Sequence, residues 1–465
     1  MIINHQSSII SIVREGSNYG RPFFDLFGKR TAKEDILIYN YLFSILLQVA
    51  AARVIIERLQ LSRWPAIGLI LLFMTHPIWL GYFYYSNAVA MFIFASFLST
   101  CAAVYLKPDI RLFISALIAA ASVMIYQASI AVFPVAVCLI GINGLLQGQK
   151  TQFYWVRFYA GGVFALSLAA AFYLVVINLF GFTGSHASAI SSLGALERIT
   201  RVVLAAFRHF WIDQPDFPIH VRLLQLGTIL TSVVVIFWRT DRRRWLLLAV
   251  SLFAAVVATK AVFLISSYGL GDYIFQYRHN TGLILLIAGI AGIALSALQG
   301  TRFDGAIGRT LQTTSLATLA LVFVQQDLIR QSVLHYGQIQ DLAIMNRVIA
   351  RIEQHPDFNP NQRYQLVRTG PLSNFRRERL AEQNGAWTVL ADEHMDFGSI
   401  GNLWVPESSA KLLGSKVLFI ENNIPNWRVR SLRWRQYTVN QGIPVWPAEE
   451  SLWFAGNEIV LHTGF

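Results

Sequence analysis

The chain has 465 residues, of which 55% are hydrophobic and only 14% are charged. Soluble domains carry about 25% charged residues, so this composition excludes an ordinary soluble protein and predicts a polytopic membrane protein. A net charge of +12 would suggest nucleic acid binding in a soluble chain. In a membrane protein the basic residues collect in cytoplasmic loops instead, so no nucleic acid partner is predicted.

The first 35 residues form a polar tail that includes SNYGRPFFDLFGKRTAKED (17–35). The tail contains no apolar run of the kind that forms the core of a signal peptide, so no cleaved leader is predicted. The two cysteines, Cys101 and Cys138, fall in later apolar stretches. No disulfide framework is therefore expected.

The tail is followed by apolar stretches of about 20 residues, the length that spans a bilayer. They predict ten transmembrane helices, near residues 36–56, 65–85, 88–106, 111–126, 128–147, 157–180, 221–238, 245–267, 280–299 and 310–328. The fourth and fifth are divided at YQAS, where Tyr126 and Gln127 supply a strongly polar break. The expected fold class is an α-helical polytopic membrane domain over 36–333, preceded by an extracytoplasmic tail over 1–35.

The basic residues of the predicted loops indicate an orientation. With the tail outside, the cytoplasmic loops carry twelve arginines and lysines, and the opposite loops carry four. This bias follows the positive-inside rule. It places the 181–220 loop, the 268–279 loop and everything after Gln331 outside the cytoplasm. The cytoplasmic loops are too short to form a nucleotide-binding domain, so chemistry is expected on the outer face.

The final segment, 334–465, is predicted to be a soluble extracytoplasmic domain. QIQDLAIMNRVIARIEQH (338–355) has apolar residues at helical spacing. Short strand-like runs follow it, namely RYQLVRTG, AWTVLA, KVLFI and NEIVLHTG. A helix followed by such strands predicts an α/β or α+β domain.

Basic residues at or within the membrane are the first candidates for a site. Arg198, Arg201 and Arg208 share one side of a predicted helix. They would present guanidinium groups to a lipid phosphate, and an ordinary helix lying at the headgroups is the alternative. Lys260 lies inside the eighth apolar stretch. An ionisable group at that depth predicts a functional site, with snorkelling to the surface as the alternative.

Two outer loops hold carboxylates. In YGLGDYIFQYRH (268–279), Asp272 and Arg278 suit the roles of base and phosphate clamp, and a loop salt bridge is the alternative. The segment RHFWIDQPDFPIH carries four loosely spaced possible metal ligands, His209, Asp213, Asp216 and His220. Its prolines favour a rigid loop instead. No phosphate-binding glycine loop, HExxH motif or Cys/His cluster is present, so no nucleotide or metal cofactor is predicted.

The chain contains the fragments YGRPFFDLF (19–27), HPIWLGYFYYSNAVAM (76–91) and MIYQASIAVF (124–133), and the later segment IQDLAIMNRVIARIEQHPDF (339–358). Together these fragments resemble the type-II serotype-converting (O-antigen) glucosyltransferases. The resemblance implies a C-type glycosyltransferase of the bacterial inner membrane. Such an enzyme moves a sugar, here glucose, from a polyprenyl-phosphate carrier to a cell-surface glycan such as the O-antigen of lipopolysaccharide. The implied partners are membrane lipid, the lipid-linked sugar donor and the glycan acceptor.

The sequence departs from the family pattern in two places. A membrane helix and an acidic pair normally precede the Gly-Arg-Pro triplet, whereas residues 1–18 contain only Glu15 as an acid. An aspartate usually stands where Asn87 aligns in the tyrosine-rich loop. Ten helices with the tail outside also imply a further helix before Met1. The chain is therefore expected to transfer sugar poorly or not at all.

The resemblance implies a general base on the outer face and basic groups that hold the carrier phosphate. The candidate bases are Asp272, Asp213, Asp216 and Glu15. The candidate substrate-binding and phosphate-binding residues are Arg21, Arg278, Lys260, Arg198, Arg201, Arg208, Tyr126, Gln127 and Asn87. A flippase for lipid-linked sugars and an inactive, truncated paralogue are the alternatives. Transporters favour paired repeats, and no internal repeat is visible in the sequence.

Overall fold

The structure is a computed structural model. It describes residues 37–79, 89–107, 109–148, 150–179, 199–200, 202–207, 219–264, 280–301, 304–369, 410, 413–419 and 424–463. The contacts between residues divide the chain into two units, Met1–Asp327 and Leu328–Phe465. This division falls close to residue 333, where the sequence predicts that the membrane domain ends.

The first unit is built from α-helices. In chain order they are α1 (Leu37–Leu59), α2 (Arg63–Thr75), α3 (Val89–Tyr105), α4 (Arg111–Ile125), α5 (Val132–Gln147), α6 (Gln152–Leu179), α7 (Ile219–Arg239), α8 (Trp245–Ala258), α9 (Thr281–Leu298) and the start of α10 (Ala306–Gln354). Each predicted apolar stretch overlaps one of these helices. Among the described residues, four helices have both the length and the hydropathy to cross a bilayer, Gln127–Gln147, Gln152–Val176, Ile219–Arg239 and Thr281–Leu298. The mostly helical, apolar unit fits a membrane protein, and ten crossings remain a prediction.

Three helices end away from their predicted limits. α2 ends at Thr75 because Pro77 follows, and the residue before a proline is biased away from the helical conformation. α8 ends at Ala258, and a turn and a short 3₁₀ helix continue the chain. α10 continues to Gln354, far beyond the apolar stretch, because the polar residues after that stretch are also compatible with a helix.

The centre of the first unit is occupied by α9 and α5. α9 packs against α2, α5 and α7, and most of its residues are buried. In α6 and α7, by contrast, only 22% of the apolar window is buried. Large apolar side chains such as Val163 and Val234 are exposed on these two helices. This arrangement is expected of central helices surrounded by helices that face lipid.

Three buried serines, which we call the serine cluster, join α3, α4 and the 3₁₀ helix Gln127–Ala131. The hydroxyl of Ser122 lies 2.8 Å from that of Ser99 and 2.6 Å from that of Ser129. It also contacts the backbone oxygen of Ala95 at 2.6 Å. Each serine hydroxyl therefore has hydrogen-bond partners inside the protein, as buried polar groups require.

The C-terminal end of α5 is closed by an arginine from a distant segment. Gly148 ends the helix with a φ of 69°. The Arg244 guanidinium donates to the backbone oxygen of Leu145 at 2.9 Å and to that of Gly148 at 3.3 Å. Carbonyls at a helix end lack partners within the helix, so this contact satisfies two of them.

The second unit contains a four-stranded sheet with the order β2-β1-β4-β3. The strands are β1 (Arg363–Arg368), β2 (Leu418–Phe419), β3 (Leu452–Ala455) and β4 (Glu458–Leu461). β1 is parallel to β2 and β4, whereas β3 and β4 form an antiparallel hairpin. The predicted runs RYQLVRTG, KVLFI and NEIVLHTG contain β1, β2 and β4, and AWTVLA (386–391) lies outside the described residues.

The sheet carries a helix on each face. The end of α10 packs Met345, Ile349 and Ile352 on one face, against residues that include Tyr364 and Ile459. Side chains alternate along a strand, so Glu458 points to the opposite face from Ile459. There it meets α11 (Ile424–Gln441). The described part of this unit therefore has an α/β arrangement.

Candidate functional site

Two helical interruptions define the candidate site. Tyr126 has an extended backbone, with φ −153° and ψ 114°, and separates α4 from the 3₁₀ helix Gln127–Ala131. The turn at Thr259 and Lys260 separates α8 from the 3₁₀ helix Ala261–Leu264. The two 3₁₀ helices pack against each other. Broken helices of this kind place polar groups inside an apolar bundle, which is how many membrane proteins build ligand sites.

A third segment, the start of α9, closes against the two interruptions. A side chain at Gly282 would place its Cβ 3.1 Å from the Ala131 backbone oxygen and 3.3 Å from the Cα of Thr259. Backbone atoms cannot move aside as a flexible side chain can. Glycine at this position therefore permits the close approach of the three segments.

Lys260 is buried at this meeting point and bonds to Asn280. Its side-chain amine donates a hydrogen bond to Oδ1 of Asn280. Lys260 is 3% exposed and Asn280 is 0% exposed. Among the described residues of the first unit, Lys260 is the only lysine, arginine, aspartate or glutamate that is buried. The amine therefore faces Asn280 inside the protein. Snorkelling to the membrane surface was the alternative that the sequence allowed.

The two other described candidates lie on the first interruption. The Gln127 amide donates to the hydroxyl of Tyr173, which is 1% exposed. The ring of Tyr126 lies against that of Phe92 with 4.2 Å between centroids. Because the 3₁₀ helix that begins at Gln127 packs on the one that follows Lys260, the predicted polar break and the predicted buried cation belong to one region.

Sequence reasoning missed Asn280 and Tyr173. Asn280 had a weak signal, since it is a polar residue placed directly before the apolar run of α9. Tyr173 had none, because tyrosine is common in membrane helices and its partner Gln127 lies 46 residues away. Both contacts depend on how the helices pack.

Most other candidates lie outside the described residues. These are Glu15, Arg21, Asn87, Arg198, Arg201, Arg208, His209, Asp213, Asp216, Asp272 and Arg278. His220 is described and lies exposed at the start of α7. In the described ranges, no three His, Cys, Asp or Glu side chains come close enough to hold a metal ion.

The arrangement suits the binding of an anion. A lysine amine and an asparagine amide are buried together, and the 3₁₀ helix that begins at Gln127 packs against the one that follows Lys260. Electrostatic attraction is stronger in such surroundings than in water. Ionisable groups inside membrane proteins commonly mark substrate pathways. A phosphate group attached to a lipid would match both the charge and the apolar surroundings.

Comparison with known families shows the family to which the chain belongs. Residues 4–294 match the family model described as Glucosyl transferase GtrII, which covers more than half of the chain. The chain belongs to the GtrII glucosyltransferase family. Comparisons with curated proteins and with solved structures found no match.

The GtrII match confirms the resemblance to the serotype-converting glucosyltransferases and supports a glucosyltransferase role. Lys260, Asn280, Gln127 and Tyr173 all fall inside the matched residues. The second unit, Leu328–Phe465, lies beyond them. The candidate site therefore belongs to the part of the chain that carries the GtrII family signal.

Proposed function

We propose that the chain transfers glucose from a polyprenyl-phosphate carrier to a cell-surface glycan such as O-antigen, at the outer face of the bacterial inner membrane. The observation that carries the proposal is the buried Lys260 amine, bonded to Asn280 where two broken helices meet. Membership of the GtrII family supports the glucosyl group and the transfer reaction. The absence of a nucleotide-binding motif from the sequence favours a lipid-linked donor.

The reaction needs a leaving group and a base. The bond between glucose C1 and the carrier phosphate breaks, and the acceptor oxygen forms the new bond to C1. Lys260, with Arg21 and Arg278, stabilises the charge that develops on the departing phosphate. An outer-loop carboxylate accepts the proton of the acceptor hydroxyl. Asp272 is the first candidate, followed by Asp213, Asp216 and Glu15.

The remaining candidates would position the donor. Arg198, Arg201 and Arg208 would hold the carrier near the lipid headgroups. Tyr126, Gln127 and Asn87 would contact the sugar through side-chain hydrogen bonds. These roles are tested one at a time by conversion to alanine, whereas conversion of each aspartate to asparagine tests for the base.

The central test measures transfer by the purified chain in lipid nanodiscs. The donor is polyprenyl-phosphate glucose labelled in the sugar, and the acceptor is surface polysaccharide from the host bacterium. Lys260→Met keeps the apolar stem and removes the amine, so we expect transfer to fall by about 10²-fold. Lys260→Arg should restore part of the rate.

Lys150→Met is the matched control, because Lys150 is exposed in a predicted cytoplasmic loop. Its transfer rate should equal that of the unaltered chain. Unchanged transfer by Lys260→Met would remove Lys260 from the phosphate site. No transfer from the glucose carrier by the unaltered chain would overturn the proposed function.

The outer-face placement has a separate test. Reporter fusions after Arg244 should read as cytoplasmic, and fusions after Gly337 should read as extracytoplasmic, because the basic loops favour that orientation. Two reporters are used at each point, one that is active only in the cytoplasm and one that is active only outside it. Their paired signals control for differences in expression. The reverse pattern at either point would contradict chemistry on the outer face.

A flippase is the second candidate, because broken helices such as those at Tyr126 and Lys260 are also typical of transporters. A flippase would move the labelled carrier across the bilayer of proteoliposomes without any acceptor. A transferase requires the acceptor and forms a glycosidic product. Measuring both quantities on one preparation separates the two functions.

A further inference from the structure

The second unit has an aromatic cluster outside its apolar core. The cluster, which we call the aromatic triad, consists of Trp434 and Tyr437 on α11 and Trp453 on β3. The ring centroids are 5.4 Å apart for Trp434 and Tyr437, 6.0 Å for Trp434 and Trp453, and 6.3 Å for Tyr437 and Trp453. Tyr437 is 45% exposed and the two tryptophans are half-buried. The rings therefore remain partly accessible to solvent.

The sheet separates this triad from the core. Leu452 belongs to the core cluster and Phe454 packs against it. Trp453 lies between them on the strand, so its side chain points to the other face. The triad is not part of the packing that joins α10 to the sheet.

A buried carboxylate and an arginine border the triad. Glu458 accepts a hydrogen bond at 2.8 Å from Arg433 and another at 2.7 Å from the indole nitrogen of Trp434. The carboxylate is largely buried, whereas the Arg433 side chain is 61% exposed. The guanidinium also lies over the Trp434 ring, 4.8 Å from its centroid. These contacts hold the indole in one orientation before any ligand arrives.

We infer that the aromatic triad, with Arg433 and Glu458, binds pyranose rings of the acceptor glycan. Aromatic rings offer flat apolar faces that match the C–H face of a sugar. Arg433 has N–H donors beyond those used by Glu458, since a guanidinium carries five. A few polar groups beside aromatic surfaces form the usual composition of a small-molecule site. This inference rests on the proposed function, which supplies the glycan.

The rest of α11 favours a glycan over a membrane surface. A helix that lies in the lipid interface needs a continuous apolar face. Leu432 and Val439 are exposed on α11, but Arg435 and Gln436 lie exposed between them along the chain. The rings of the triad instead come from two elements, α11 and β3, which together form a compact platform.

The test measures binding without transfer. The probe is lipid-free surface polysaccharide purified from the host bacterium, and its affinity for the whole chain in nanodiscs is measured by calorimetry with no donor present. Tyr437→Ala and Trp453→Ala should each raise Kd about tenfold, through loss of ring contact. Tyr437→Phe keeps the ring and should bind nearly as tightly as the unaltered chain. Val439→Ala, an exposed apolar change on the same helix, is the control.

Two further measurements separate the inference from the proposed function. Lys260→Met should lose transfer and keep polysaccharide binding, whereas Tyr437→Ala should raise the KM for acceptor and leave kcat unchanged. If the unaltered chain binds polysaccharide through the triad but transfers nothing, the proposed function fails and the binding site stands. Should Trp453→Ala fail to fold, the exposed Tyr437 variants decide the question.

The inference is overturned if both alanine variants bind polysaccharide as the unaltered chain does. It is also overturned if the unaltered chain binds no polysaccharide. Vesicles of phosphatidylethanolamine and phosphatidylglycerol provide the comparison with a lipid surface. Vesicle binding is measured with the chain purified in detergent. If Tyr437→Ala and Trp453→Ala weaken binding to these vesicles and the unaltered chain binds no polysaccharide, the triad is a membrane contact.

Discussion

The serine cluster and the Lys260–Asn280 pair are both buried polar sites in the first unit, but they are built differently. In the serine cluster, neutral hydroxyls bond to one another and to backbone oxygens at 2.6 to 2.9 Å. At the other site a lysine amine is buried and donates a hydrogen bond to a neutral amide. A neutral network of hydroxyls can be satisfied within the protein, whereas a buried charge attracts a counter-ion.

This difference indicates that some buried polar residues stabilise the fold, whereas others serve function. Ser99, Ser122 and Ser129 bind α3, α4 and the following 3₁₀ helix together, so their loss should weaken the fold. Lys260 places an ionisable amine inside an apolar unit, and ionisable groups at such positions commonly mark substrate pathways, so we assign Lys260 to function. Activity and stability measured on the same variants should separate the two sites.

The largest effect is expected at Asn280. Asn280→Ala removes the amide that orients the Lys260 amine, and we expect kcat/KM for transfer to fall by about 10²-fold. If the two residues act as a unit, the double variant with Lys260→Met should fall no further than Lys260→Met alone. Losses that multiply would show that Asn280 and Lys260 serve separate steps.

An intermediate effect is expected at Gly282, where the three segments of the candidate site meet. Gly282→Ala would press a methyl group on backbone atoms of Ala131 and Thr259, at a cost of about 1–3 kcal/mol. Unfolding free energy in detergent and the transfer rate should both decrease. Gly227→Ala is the control, because no described atom outside the adjacent turns of its own helix lies within 4 Å of the added methyl group. Equal behaviour of the two variants would mean that the close approach at Gly282 is unimportant.

The smallest effect is expected in the serine cluster. Ser122→Ala removes contacts to Ser99, Ser129 and Ala95. Hydrogen bonds inside membrane proteins contribute about 0.6 kcal/mol on average, so we expect a stability loss of about 1 kcal/mol for this shared hydroxyl. The transfer rate of the folded fraction should stay unchanged. Ser96→Ala, which removes a contact within one helix, should cost less, and a large loss of activity in Ser122→Ala would make the cluster functional.

The positions of the helices in the first unit could be predicted because apolar length is a property of the chain alone. Their ends could not be predicted as well. Hydropathy marks where an apolar stretch ends, but α10 continues to Gln354 through residues that are polar and still helical. In the second unit, the strand-like runs RYQLVRTG and NEIVLHTG contain β1 and β4. α11 has an arginine-rich sequence without clear apolar periodicity, and neither α11 nor β3 was anticipated.

The candidate site was predictable to the extent that its residues are unusual in their surroundings. Lys260 is an ionisable residue in an apolar run, and Gln127 follows the polar break at Tyr126, so each could be selected from sequence. Asn280 and Tyr173 are ordinary residues for their positions. They gain importance from contacts made across 20 and 46 residues, which only the packed helices provide.

Arg244 shows how one side chain can act at two stages of biosynthesis. During insertion, its charge adds to the signal that keeps its loop on the predicted cytoplasmic side. After insertion, the same guanidinium closes the end of α5 through Leu145 and Gly148. Lysine would preserve the insertion signal but lacks the planar fork that reaches both oxygens. Arg244 therefore contributes to helix assembly as well as to the predicted topology, and a count of loop charges records only the second.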